Sequence, residues 1–408
     1  MKYSIFCCSF LFLLLACKQS KPEIQLNEGI WLAELTTLDD QQLPFNFKLY
    51  TAPEGEYILD IFNAQEIITV DEITTFNDSI IIKAPGFNGR IVGTFTPNSI
   101  TGRFIIETMD RNIAFKAVFD TPVRFRDTAS PELNISGIWE TEFSPKTEDR
   151  YMGKGIFTQK EGNVIGTFRT PTGDYRFLEG VVDKDSLKLS AFDGAHVFLF
   201  LAKVTDSSLT GMFYSGNHFK EPFTAVRNET FELPSPDSLT FIKEGYDKFD
   251  FSFPDIKGNM VSLSDKKFEN KVVIVQLMGT WCPNCLDETR FLVAHIEENK
   301  QNNLQVVGLA FEYAKTKEAA INGIERLADR VGINYPVLLA QYGTSDKEQA
   351  QQKLPMLNHV MSYPTTIFID KTGEVRRIHT GFNGPATGDT YISFKAEFSD
   401  YVAKLLQE

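Results

Sequence analysis

Basic charge is in short supply in this chain of 408 residues, where 41 Lys and Arg face 54 Asp and Glu for a formal net charge of −13. Such a surface excludes nucleic acid as a main partner, because phosphate binding needs a basic footprint. Histidine is scarce too, and the five present are too scattered to suggest a metal cage. Beyond the first 17 residues no apolar run approaches the roughly 20 residues that cross a bilayer, so the chain after Cys17 is expected to be soluble. Cysteine occurs five times, as Cys7, Cys8, Cys17, Cys282 and Cys285. What is present is ordinary for a globular protein: 42% hydrophobic and 23% charged residues. The length calls for two or three domains.

The chain begins MKYSIFCCSFLFLLLAC: Lys2, an apolar run through Leu15, a small residue and Cys17. The run is too short to span a membrane and reads as an export signal. Leu14-Leu15-Ala16-Cys17 resembles the lipobox of bacterial lipoproteins. That resemblance implies a signal peptide over 1–16, a lipidated Cys17 at the head of the mature chain, and a tether over 17–27. Lys18, rather than Asp, implies outer-membrane sorting. The implied location is the cell envelope, on a lipid anchor facing the periplasm; the alternative is a plain signal peptide with incidental cysteines. Cys7 and Cys8 leave with the signal, so only Cys282 and Cys285 remain in the exported domains. A zinc site needs a second ligand pair, and the sequence has neither another C-x-x-C nor an H-x-H. No metal and no other cofactor is expected.

An internal duplication follows. Gly29-Ile30-Trp31 returns as Gly137-Ile138-Trp139, NDSIIIKAPGFNG (77–89) as KDSLKLSAFDG (184–194), and NSITGRF (98–104) as SSLTGMF (207–213). The offsets run from 105 (Gly89 to Gly194) to 109 (Asn98 to Ser207), so these are two copies of a small domain rather than solenoid units. Segments such as RIVGTFT and NVIGTFRT carry β-branched and aromatic residues between Gly, Asn, Asp and Pro turns, as short strands do. The expectation is an all-β N-terminal region of two similar barrel- or sandwich-like repeats, over 28–127 and 134–230. Whether they form two barrels or one larger sheet stays open. Their aromatics are expected to fill a core rather than line a ligand cavity.

LPSPDSLTFIKEGYDKF (233–249) reads as a linker, spanning 231–249, rich in Pro, Ser and charge. From 250 to 408 the pattern becomes α/β. KVVIVQLM (271–278) and LQVVGLAF (304–311) are apolar runs of the kind buried on both faces of a sheet. CLDETRFLVAHIEENK (285–300) has helical spacing, with Leu286, Phe291, Leu292, His295 and Ile296 on one face. Further helices are expected over 316–331, 345–358 and 391–406, and strands at YPVLLA, TTIFID and EVRRIHTGF. The alternation predicts a small mixed sheet with helices on both faces.

Cys282 and Cys285 stand where the first buried strand meets its helix. Unpaired N–H groups and the positive dipole end favour a thiolate there, and cysteines so placed have pKa values of roughly 3.5–7.5. Cys282 is expected to attack, and the more buried Cys285 to resolve. Trp281 and Pro283 flank the pair, and Pro283 suits a first helical turn.

FPDIKGNMVSLSD, VIVQLMGTWCPNC and YPTTIFIDKTGEV, in that order over 250–408, resemble the lead-in hairpin, active-site strand and cis-proline loop of the TlpA/ResA-like thiol-disulfide oxidoreductases. The resemblance implies a thioredoxin-like domain whose Cys282–Cys285 redox disulfide acts on envelope protein disulfides, fed by an upstream dithiol donor. It implies Pro364 as the cis-proline, a Tyr363 backbone that receives a partner strand edge-on, and an inserted helix and strand at 312–340. Glu288 matches a glutamate that this group keeps three residues after the second cysteine; it could equally be a solvated first-turn acid. Two departures stand out. Gln276, six residues before Cys282, occupies the place of thioredoxin's buried Asp and cannot take a proton, and Tyr363 is bulkier than the Thr or Val of many relatives. A thiol peroxidase would want P-x-x-x-T-x-x-C, and Cys282 has Val275 seven residues before it and Thr280 two before. The remaining alternative is an envelope binding protein that captures a ligand or partner with its β-rich region.

Overall fold

The computed structural model describes residues 24–126, 129–300 and 303–408. The segment expected to be an export signal, Cys17 and most of the expected tether lie outside these residues. Two nine-stranded antiparallel sheets come first. In the first, every strand from Gly29–Thr36 to Arg111–Phe119 pairs with its sequence neighbour except Glu66–Val70 and Glu72–Phe76, and the last strand returns to the first. The second repeats the plan from Gly137–Phe143 to Phe219–Arg227 and closes fully, because Tyr151–Lys160 pairs with both Gly137–Phe143 and Asn163–Thr170. The open question of one sheet or two is thus answered by two separate barrels.

Alternation drives the closure. Along Arg111–Phe119, Ile113, Phe115 and Ala117 point inward while their neighbours face out. The repeated Gly-Ile-Trp opens each barrel. Gly29 and Gly137 have φ of 134° and 117°, values costly for any side chain. The next-but-one residue, Trp31 or Trp139, is wholly buried, and its indole N–H donates to the carbonyl four residues back: Asn27 O at 3.1 Å and Ile135 O at 2.8 Å. Aromatic side chains such as Phe45, Phe47 and Phe104, then Phe143, Phe168 and Phe200, fill the interiors. The void left in the first barrel is about 20 Å³, room for about one water. The barrels also share an interface: Phe192, Val197, Leu199 and Tyr214 of the second belong to the first barrel's core, with Phe192 stacked on Phe45 at 4.5 Å.

The C-terminal domain has a five-stranded mixed sheet in the order Val337–Gln341, Leu304–Phe311, Val272–Met278, Thr365–Ile369, Val375–Thr380. The first three run parallel and the last two are antiparallel. All seven residues of Val272–Met278 are buried, as expected of a strand that is apolar apart from Gln276. Helices α1 (Pro283–Asn299), α2 (Lys317–Val331), α3 (Lys347–Lys353) and α4 (Asp389–Gln407) complete it, with the hairpin Ser252–Pro254/Met260–Ser262 in front.

Two expectations need correction. The helix expected over 345–358 is only α3, because Asp346 caps its start and Leu354 precedes Pro355, where helical backbone is disfavoured. The apolar positions of α1 share one face except Leu286: Phe291, Leu292, His295 and Ile296 pack in the cluster of Ile274, Phe368 and Phe398, while Leu286 packs with Val275 and Leu277. The segment read as a linker is docked on the C-terminal domain. Asp237 takes Arg377 at 2.8 Å and His379 at 2.7 Å from the edge strand, Lys243 N donates to Met356 O at 2.8 Å, and Phe249 is buried. It thereby covers a sheet edge that would otherwise be open.

Candidate redox site

The central strand Val272–Met278 delivers the chain to a turn at 279–282, and Cys282 caps α1. Its Sγ accepts the Cys285 N–H at 3.2 Å, so one orphan donor of the helix start already points at the sulfur. Pro283 takes the first helical position, where its missing N–H costs nothing. Cys282 and Cys285 are joined as a disulfide with Cα atoms 5.2 Å apart. Cys285 is sealed off at 0% exposure, and Cys282 shows 6%; only Cys282 reaches the cleft that fronts the site.

The Tyr363–Pro364 bond is cis, and the Tyr363 carbonyl oxygen lies 3.4 Å from Cys282 Sγ. The Trp281 indole donates to Phe311 O at 2.9 Å and sets its ring edge against Tyr313 and Tyr363. The structure therefore brings Trp281, Cys282, Pro283, Cys285, Tyr363 and Pro364 together across three elements.

Glu288 sits behind them, 1% exposed, which removes the reading as a solvated acid. Its carboxylate accepts Gln276 Nε2 at 2.9 Å and Thr366 Oγ1 at 2.6 Å. Burial pushes its pKa up to about 7, and these two hydrogen bonds only partly oppose the rise. Gln276 is held in turn by Thr289, and its amide lies 3.4 Å from the Cys285 carbonyl. So Gln276, which cannot ionise, orients an acid that can. A second buried carboxyl was not anticipated. Glu312, at the end of strand Leu304–Phe311, accepts the Thr280 N–H at 2.8 Å and hydroxyl at 2.7 Å, and burial pushes it up to about 7 as well. The signal for it was an acid directly after a buried parallel strand, the sheet edge where α/β sites gather.

The second barrel also takes part, which nothing in the sequence indicated. Its hairpin Pro171–Asp174 meets the site: Ser362 Oγ donates to Thr172 O at 2.9 Å and Asn284 Nδ2 to Asp174 O at 3.1 Å. Gly173 allows this approach, since a Cβ there would fall 2.2 Å from Asn284 Nδ2. The buried Arg176 ties all three domains, bonding Asp287 on α1, Glu66 of the first barrel at 2.5 Å and Asp193 of the second at 3.5 Å. Burial raises Asp287 to about 6, though the Arg176 charge pulls the other way. The first barrel docks through Glu72, which binds Arg326 and Arg330 of α2 and is held at about 2 by those bonds.

Residues 245–378 match the AhpC/TSA family. The chain is 29% identical over 140 residues to the "Thioredoxin-like protein YneN" of Bacillus subtilis, covering 34% of this chain and 73% of that protein. It is 31% identical over 132 residues to the "Thiol-disulfide oxidoreductase ResA" of Geobacillus kaustophilus, covering 32% and 66%. The C-terminal domain is thioredoxin-like and resembles the ResA thiol-disulfide oxidoreductases. A crystal structure of a thioredoxin-family thiol:disulfide interchange protein from Chlorobium tepidum TLS matches at 21% identity and TM-score 0.30, over 40% of this chain and 98% of that one. These matches leave the two barrels uncovered. The thioredoxin-like domain thus carries the cysteine pair of an oxidoreductase of this type, with an N-terminal region of its own.

Proposed function

We propose that the protein reduces, or exchanges, disulfides of other envelope proteins from a lipid anchor at Cys17. The observation that carries the redox reading is the placement of Cys282: helix-capping, touched by a backbone N–H, and open to a cleft while Cys285 is sealed behind it. In the forward direction the Cys282 thiolate attacks one sulfur of a substrate disulfide. A Cys282–substrate disulfide forms, and the other substrate sulfur leaves as a thiolate and takes up a proton. Cys285 then gives its proton to Glu288 and attacks Cys282 Sγ. The Cys282–Cys285 disulfide forms and the second substrate sulfur leaves, so two electrons pass from the dithiol to the substrate. A dithiol donor upstream restores the pair. Tyr363 presents its backbone beside the nucleophile for a partner strand, and Trp281 and Pro283 border the approach.

The reading is tested with Cys285→Ser, which should trap mixed disulfides with native envelope proteins, and with iodoacetamide, which should reach Cys282 before Cys285 at pH 6–7. If Cys285 alkylates first, or only Cys282→Ser traps partners, the roles are wrong. The dithiol potential measured against glutathione decides direction, since this fold spans about −270 to −120 mV. For the anchor, Cys17→Ala should abolish acyl labelling and membrane association in the exported protein; membrane association that persists would rule it out.

A further inference from the structure

We infer that the second barrel is half of the redox site: it walls a groove that admits a protein's disulfide only when an extended polypeptide segment carries it. This rests on the oxidoreductase reading above and names the form of its substrate.

The cleft above Cys282 measures about 460 Å³, within the size range of built ligand sites. One wall is Trp281, Asn284 and Tyr363 of the thioredoxin-like domain. The other is Tyr151, Thr172, Tyr175, His196 and Phe198 of the second barrel. The cleft is not a closed pocket. Trp281, Lys347 and Tyr363 also border a second depression of about 630 Å³ that continues past Tyr313, Asp346 and Glu348. A cleft at the nucleophile that adjoins a second depression across Trp281, Lys347 and Tyr363 fits a chain better than a compact small molecule. With Cys282 only 6% exposed, a disulfide on a rigid convex surface cannot reach the sulfur past two walls.

The barrel wall is fixed in place. Thr172 and Asp174 accept hydrogen bonds from Ser362 and Asn284, which flank the cis-proline and lie between the cysteines. The Asp174 carboxylate accepts the Gly384 N–H at 2.5 Å, and Arg176 locks to Asp287 on the active-site helix. Inside the groove, the Tyr363 hydroxyl is buried and has no hydrogen-bond partner among the described residues, and the same holds for Asn284 Oδ1. Buried polar atoms left unpaired are costly.

The test narrows the barrel wall at two separate points, Thr172→Trp and His196→Trp, and compares three disulfides on the reduced protein: an unstructured decapeptide with a glutathionylated cysteine, 2-hydroxyethyl disulfide, and a folded protein with a surface disulfide. Wild type should reduce the peptide at least tenfold faster, in kcat/KM, than the folded protein. Both variants should lose at least tenfold on the peptide and less than twofold on 2-hydroxyethyl disulfide. Equal rates on peptide and folded protein, unchanged peptide reduction in both variants, or equal loss on both small probes would each overturn the inference. A second measurement needs no change in the wall. The peptide trapped on Cys285→Ser should slow amide exchange at 170–175 and 196–198, and unchanged exchange there would overturn it. A wild-type dithiol that reduces none of the three disulfides would instead defeat the oxidoreductase reading itself.

Discussion

Glu288→Gln separates proton transfer from architecture. A glutamine keeps the shape and can still accept from Gln276 or pair with Thr366, so the fold should survive. What disappears is a carboxyl with a pKa pushed up to about 7 by burial. Such a group is only about 1% ionised at pH 5 and about 90% ionised at pH 8. If it takes the Cys285 proton, resolution of a mixed disulfide on Cys282 should speed up roughly ninetyfold over that interval in the wild type. In Glu288→Gln the same step should be roughly 100- to 10,000-fold slower near pH 8, the range expected for loss of a general base, and should lose the wild-type inflection near pH 7. The assay is a single turnover: the reduced protein is mixed with an aromatic disulfide, one thiol of which leaves as Cys282 captures the other, and release of the captured thiol on attack by Cys285 is followed in a stopped-flow instrument from pH 5 to 8. A variant that resolves at the wild-type rate throughout, or a wild type with a flat profile, would refute the assignment.

Replacing Arg176 with Met should destabilise the protein by about 3–5 kcal/mol, because breaking a buried ion pair strands its partners, here Glu66, Asp193 and Asp287; a loss below about 1 kcal/mol in chemical denaturation would contradict this. Gly173→Ala should push the hairpin from Asn284, given the 2.2 Å approach and a φ of +138°, and so expose Cys282 to faster alkylation; an unchanged alkylation rate would count against the hairpin as a cover. Glu288 and Glu312 both have folded pKa values raised from 4.5 to about 7, so the folded state holds protons that the unfolded state has released. Their contribution is fully present below about pH 4.5 and is lost as pH rises through about 7. Glu312→Gln should flatten that part of the stability curve, and an unchanged slope would show that Glu312 does not titrate there.

The C-terminal domain was legible because its signals are local. Val272–Met278 could be read as a buried strand, and C-x-x-C at its helix junction as redox chemistry, from residues adjacent in sequence. The barrels were legible as a repeat because Trp31 and Trp139 meet the same packing demand in the same frame. The assembly was not legible. Arg176 reads as one more charged residue on a β-strand border, and only the fold brings it beside Glu66 and Asp287, 110 and 111 residues away. The short α3 was missed because helical periodicity was carried across Leu354-Pro355, where the proline decides. Glu288 can be picked out by its spacing from Cys285, but its burial beside Gln276 and Thr366 is something no helical spacing reveals.

The charge around the cysteines gives the reason for two raised carboxyls rather than one. Among the described residues, the polar contacts of Cys282 Sγ are the Cys285 N–H and the Tyr363 carbonyl, and no cation is among them. The helix start therefore favours a thiolate directly, while Arg176 at the Pro283 carbonyl and Lys347 in the same cleft make no bond to the sulfur. An ionised carboxylate on each side of the motif would oppose that by like-charge repulsion. Below about pH 7 burial keeps both Glu288 and Glu312 mainly protonated, which leaves the thiolate without a negative neighbour, while Glu312 still holds the Thr280 turn. Glu288 then differs from Glu312 in one respect. It shares its shell with Gln276, whose amide also approaches the Cys285 carbonyl, so a proton passing from Cys285 to Glu288 would neutralise the carboxylate as the resolving thiolate forms. Burial, which makes each acid costly to ionise, is what allows one of them to hold the proton and the other to hold the turn.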